Sequence, residues 1–195
     1  STIDGLAETV PIVPAKDFRP NWMNRARDDY KRKISSADGK LDHIYQCPGI
    51  FDLAKIGYII PMWHDVLIET TGTGDFKWTI PTSDIIDLSE GKDIISRQVT
   101  GVETLMPVRP WTSGALLKIN TPWHIVAPRG VKFLMIPIAY PDSFEIESSS
   151  GLLDPGVSSE INIQAYCNIP QGKFYLKAGQ PLAQLGDRIS PSLKR

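Results

Sequence analysis

Gly151-Leu152-Leu153-Asp154-Pro155-Gly156, then Glu160-Ile161-Asn162-Ile163-Gln164-Ala165-Tyr166, then Lys177-Ala178-Gly179-Gln180-Pro181-Leu182-Ala183-Gln184-Leu185: the reading of this stretch decides the fold. Ile161, Ile163 and Ala165 alternate with polar residues, and a period of two buries one face of a strand. The acidic turn at Asp154-Pro155-Gly156 feeds that strand. In such a turn an Asp side chain ordinarily bonds its own backbone two residues on. Gly179-Gln180-Pro181 then turns the chain into a last apolar run.

Working outward, residues 133–138 form the most apolar strand of the chain. Residues 115–120 and 123–126 read as two short strands split by Thr121-Pro122, since proline cannot donate to a ladder. Thr71-Gly72-Thr73-Gly74-Asp75 is a hairpin turn, and residues 76–80 alternate like its returning strand. Residues 57–68 read as one edge or bulged strand interrupted by Pro61, and residues 94–106 hold another strand. Pro48-Gly49 reads as a turn, and residues 141–150 as a polar loop carrying Asp142, Glu145 and Glu147. Repeated short strands with Gly and Pro punctuation predict an all-β protein.

Three regions are expected. Residues 1–16 form an extended N-terminal arm, because Pro11 and Pro14 remove amide donors and no helical period is present. Residues 17–40 supply one helix and a loop. The helix runs over 17–34, capped by Asp17 or Asn21 with Pro20 in its first turn. Trp22, Ala26, Tyr30 and Ile34 make its apolar stripe, and its remaining surface, with Arg25, Arg27, Asp28, Asp29, Lys31, Arg32 and Lys33, reads as a solvated face. Residues 41–195 form the β domain. The arm is expected to be loose in the free chain and ordered against a neighbouring subunit. Ile12, Val13, Phe18 and Trp22 are therefore the candidate binding and assembly residues.

With 42% apolar and 22% charged residues the composition is that of a soluble globular protein. A formal net charge of −1 argues against a general nucleic-acid binder. Apolar runs such as Tyr58-Ile59-Ile60-Pro61-Met62-Trp63 are too short to span a bilayer, and no signal peptide is expected. Cys47 and Cys167 have no zinc spacing and read as two small buried apolar residues. His43, His64 and His124 are scattered and predict no metal centre. His64-Asp65 lacks the Gly-x-Ser-x-Gly elbow that a serine nucleophile would need. Trp22, Trp63, Trp78, Trp111 and Trp123 read as core and interface residues. No cofactor is expected.

The opening stretch resembles the dUTPase and dCTP deaminase superfamily, with Gly151, Asp154, Glu160, Asn168, Gly179, Ala183, Gln184 and Leu185 at matching places over roughly the last third of the chain. The run Val126-Ala127-Pro128-Arg129-Gly130-Val131-Lys132-Phe133 is similar to that family's preceding turn and strand. The resemblance implies a β-clip, dUTPase-like barrel, commonly trimeric, and makes Asp154 the carboxylate that would orient an attacking water. Val157 stands where that family carries an aromatic. Ser148-Ser149-Ser150-Gly151 lacks the family's phosphate-binding Arg, and no Gly-rich, Arg-bearing tail follows Asp187-Arg188-Ile189-Ser190. Without such clamps, charge developing on a phosphate has little to stabilise it.

The segments Cys47-Pro48-Gly49, Pro61-Met62-Trp63-His64-Asp65, Thr121-Pro122-Trp123 and Ala127-Pro128-Arg129-Gly130 are, in this order, similar to a group of tailed-phage proteins. That resemblance implies a phage virion structural protein, an accessory or decoration subunit of the capsid. It would partner the major capsid protein and copies of itself, with a trimer as the expected form, without a membrane or a specific nucleic acid. It would be found in the virion, and in the host cytoplasm during assembly. The alternative expectation is a nucleotide-binding or hydrolysing enzyme acting through Asp154.

Overall fold

The computed structural model describes residues 10–35, 41–81, 93–98 and 109–189, with side chains as far as residue 186. Within them the chain runs β1 (Val13–Pro14), α1 (Asn21–Ile34), α2 (Pro48–Leu53), β2 (Tyr58–Pro61), β3 (Val66–Thr71), β4 (Phe76–Thr79), β5 (Ile95–Arg97) and β6 (Leu116–His124). It continues through β7 (Lys132–Ile136), β8 (Ile146–Ser148), β9 (Gly151–Leu153), β10 (Glu160–Cys167), β11 (Gln171–Leu176) and β12 (Pro181–Ile189). Single 3-10 turns at Ala15–Asp17 and Ile44–Gln46 precede the helices.

The strands form three antiparallel sheets, in the orders β1-β2-β12-β7-β9, β5-β6-β10-β8 and β11-β3-β4. The protein is thus mostly β, as expected. Among the described residues no sheet closes on itself, so the expected single barrel is instead three open sheets around a shared core. That core draws Ile60, Leu182 and Leu185 from the first sheet, Leu117, Ile119 and Ile163 from the second, and Ile68, Phe174 and Leu176 from the third. Ile161, Ile163 and Ala165 point into it, as their alternation requires.

The hairpin at residues 71–75 forms as read, with Ile68 facing Trp78 and Glu69 facing Lys77. Residues 57–68 differ from expectation. Trp63 and its neighbours turn a corner there, placing β2 inside the five-stranded sheet and β3 in another. Thr121-Pro122 does not split β6 either. Glu160 faces His124 and Asn162 faces Asn120, so Thr121, Pro122 and Trp123 sit opposite Ile161 alone. The bulge leaves no ladder bond for Pro122 to make, which is how one strand carries a central proline.

Helix α1 starts later than expected. Asp17 lies in the preceding 3-10 turn, and Pro20 occupies the cap position without a side-chain cap bond. The cap comes from far away: the Asn21 amide donates to Asp142 Oδ2 at 2.9 Å. Residues 48–53, read as a Pro-Gly turn, are a second helix with Pro48 in its first turn, where its missing N–H costs nothing. That makes two α-helices among the described residues rather than one.

The helical region lies on the outer face of the five-stranded sheet. Gln184, on β12 and 2% exposed, donates to the carbonyls of Leu53 and Ile56, both at 2.7 Å, at the end of α2. A buried amide in an apolar strand is thereby explained as the donor to carbonyls at and just beyond the C-terminal end of that helix. Gly57 joins this layer to β2 at φ +72°, and a Cβ there would lie 1.9 Å from the Leu185 carbonyl oxygen. Only glycine fits. No described helix is long and apolar enough to cross a membrane.

Candidate functional site

Asp154, at the end of β9, is tied down on both carboxylate oxygens. Oδ1 accepts from the Gly156 amide at 3.0 Å, and Oδ2 pairs with Lys132 Nζ at 3.0 Å. The lysine, then the amide, holds its pKa below the ordinary carboxylate value. The Val157 and Ser158 amides also close onto its carbonyl. Asp154 lines neither of the two cavities described below.

The histidines stay apart. His43 Nε2 meets Asp29 Oδ2 at 3.1 Å, and His124 Nδ1 meets Ser159 Oγ at 3.1 Å. His64 contacts the Asp65 carbonyl while the Asp65 carboxylate accepts from the Ala178 amide at 2.7 Å, so the two side chains form no acid–base pair. Among the described residues, no three His, Cys, Asp or Glu side chains are grouped to hold a metal. Both cysteines are free; Cys167 is buried as expected and burial pushes its thiol pKa up, whereas Cys47 is half-buried.

The four candidate assembly residues all make contacts within the chain. The expected loose arm is, from Val10 onward, docked on its own β body. Val13 pairs with Ile59, Ile12 packs against the core, and the Ala15 amide donates to the Gly57 carbonyl at 2.8 Å. Residues 1–9 lie outside the described residues. Trp22 donates its indole N–H to the Tyr140 carbonyl at 2.8 Å, and packs edge-to-face with Tyr140 and Phe51 at ring-centre distances of 5.5 and 5.9 Å. Of the four, Phe18 lines one of the two cavities described below.

That cavity, of about 280 Å³, opens beside α1. Phe18, Met23, Tyr45, Phe51 and Ala54 are its apolar lining, and Lys16, Arg19, Arg27 and Lys55 its cations. Asp28 pairs with Arg27 at 3.0 Å and Asp52 with Lys55 at 3.1 Å. Lys16 and Arg19 are exposed and make no ion pair among the described residues. The sequence carries a local signal for this site: Lys16-Asp17-Phe18-Arg19 brackets an aromatic with cations. Tyr45, Phe51 and Lys55 come from the segment whose helix was missed.

A second cavity, of about 330 Å³, lies where residues 137–144 pass the ends of β8, β10 and β12. Gln180 donates to Ser143 Oγ at 2.8 Å, and Asn168 Nδ2 to the Phe144 carbonyl at 2.9 Å. Ser148 Oγ and Asn168 Oδ1, from lining residues, are buried without a hydrogen-bond partner. Phe144 stands at the rim, 69% exposed. Arg109, in the segment before β6, pairs with Glu147 of β8 at 2.6 Å and lies 4.5 Å from the centre of the Tyr166 ring of β10, and the carboxylate raises its pKa.

Away from both cavities, the outer face of the five-stranded sheet is only half covered. Leu152 on the edge strand β9 is 62% exposed and faces Leu134. A Cβ on Gly186 would lie 4.0 Å from both Leu134 Cβ and Ile56 Cγ2, and Ile56 is itself exposed. An apolar strip therefore runs from the rim of the helical layer to the sheet edge.

The fold defines a mostly β protein of three antiparallel sheets with a helical layer on one face. Comparison with family models, with curated proteins and with solved structures found no match for this chain.

Proposed function

We propose that this chain is a structural protein of a tailed-phage virion, an accessory or decoration subunit that binds the capsid and associates with its own kind. Its body is read as β-clip-like, on the strength of the motif residues in β9, β10 and β12, and a trimer is the form that resemblance implies. The observation that carries the reading is the apolar strip of Ile56, Leu134 and Leu152 on the uncovered half of the five-stranded sheet. A strip of this kind, beside a short edge strand, is surface suited to another chain. Asp154 fits the same reading, because Gly156 and Lys132 hold its carboxylate in the structural place that such a turn gives an Asp. Neither hydrolysis of dUTP nor deamination of dCTP is expected.

The major capsid protein is the proposed partner at the strip, in the virion and, during assembly, in the host cytoplasm. The test is quantitative mass spectrometry of purified particles together with binding of the purified chain to particles that lack it. The chain is expected at a fixed copy number per capsid protein, and Leu152→Glu is expected to lower particle binding while leaving the fold intact. Absence of the chain from particles, or undiminished binding by Leu152→Glu, would contradict the reading.

A further inference from the structure

We propose that the self-association is head to tail, with Phe144 of one copy entering the cationic, aromatic cavity beside α1 of the next. This inference rests on the reading above that the chain associates with its own kind. The two surfaces are complementary. Phe144 is a bulky apolar side chain, 69% exposed, in the acidic sequence Asp142-Ser143-Phe144-Glu145-Ile146-Glu147. The cavity offers Phe18, Tyr45 and Phe51 to a ring, and Lys16 and Arg19 to Asp142, the exposed acid of the loop; Glu147 is already paired with Arg109, and Glu145 Oε2 is buried. At about 280 Å³ it is at the small end for a drug-sized ligand and of the scale of a side chain.

The loop is also held in place before any contact forms. The Asn21 amide bonds Asp142 and the Trp22 indole bonds the Tyr140 carbonyl. Tyr140 sits at φ +52°, a conformation that a non-glycine residue keeps only where its surroundings enforce it. A fixed knob loses little conformational freedom on docking. Trp22 touches both Tyr140, at the base of the knob, and Phe51, in the socket, so the two surfaces are neighbours on one molecule without being the same surface. A contact between unlike surfaces repeats from copy to copy and can close as a ring.

The test is sedimentation velocity of the wild-type chain, of Lys16→Glu/Arg19→Glu, of Phe144→Glu, and of the two variants mixed one to one. All the substituted side chains are exposed or half-exposed, and circular dichroism melts check that each variant folds. Each variant alone is expected at 21.7 kDa. The mixture has one intact knob and one intact socket, so it is expected to form a one-to-one pair of twice that mass and nothing larger. Phe144→Ala is expected to weaken wild-type association by about 30-fold or more, as for a central aromatic anchor. Wild-type assembly by either variant, or a mixture that stays at 21.7 kDa, overturns the head-to-tail contact. A wild-type chain that is itself only 21.7 kDa overturns the self-association reading as well, which separates the two failures.

Discussion

Between the three sheets, Ile60, Ile68, Leu117, Ile119, Ile163 and Leu176 are wholly buried against one another. In the helical layer, among the described residues from 15 to 56, Met23 is the only large apolar side chain that is buried. That layer is held instead by aromatic ring contacts and directed polar bonds. Tyr30 packs on His43 and Tyr45, Trp22 on Phe51 and Tyr140, and Asp29 gathers Arg32, Lys33 and His43. Burial is non-directional and scales with area, whereas each of those polar contacts contributes little and depends on geometry. The β body is therefore the stable unit. The layer beside it is the part that can carry a partner site without putting the core at risk.

The largest effect expected is in the body. Ile163→Ala removes methyl groups from the middle of β10 and leaves a cavity, lowering unfolding free energy by about 2–5 kcal/mol. Denaturant melts followed by far-ultraviolet circular dichroism measure it, and a loss below 1 kcal/mol would show that the shared core is not closely packed.

Gly57→Ala strikes the joint between the two regions. Its Cβ would collide with the Leu185 carbonyl, and the backbone conformation disfavours any side chain. A loss of about 1–3 kcal/mol is expected from strain alone, with more where β2 and β12 shift apart. Hydrogen exchange should show the residues of α1 and α2 losing protection before those of β10.

Trp22→Phe keeps the ring contacts and deletes the N–H donor to the Tyr140 carbonyl. About 1 kcal/mol is expected, confined to the helical layer and the loop at residues 139–144. Equal loss of protection in the β body would blur the distinction between the regions.

The smallest effect is acid loosening of the layer. Lys33, then His43 and Arg32, hold the Asp29 carboxyl well below its ordinary range. A depressed folded-state pKa contributes stability that is fully present above the unfolded value of about 3.9 and lost as pH falls through the folded one. Exchange in residues 21–35 should accelerate below about pH 4 while β10 stays protected, and Asp29→Asn should remove that difference.

How much of this was legible in the sequence follows from the range of the interactions. The alternation of Ile161, Ile163 and Ala165 and the Gly-rich turn at 71–75 are local signals, and both produced the structure they predicted. The helix at residues 48–53 was written locally too, in Pro48 followed by an apolar pattern, but Pro48-Gly49 also spells a turn and the shorter motif took precedence. The α1 cap could not be read at all, since Asp142 lies 121 positions from Asn21. The same holds for Gln184, whose meaning depends on the carbonyls of Leu53 and Ile56 brought to it by folding. Phe18 was singled out for assembly and does line a cavity, but Tyr45, Phe51 and Lys55 join it only through folding. Phe144 was passed over inside a loop that reads as polar.

Sedimentation velocity of the intact chain across micromolar concentrations tests most directly the claim that this protein acts by association. A species at a small multiple of 21.7 kDa, with three copies the number expected, is the predicted result. A lone 21.7 kDa species at every concentration would contradict it.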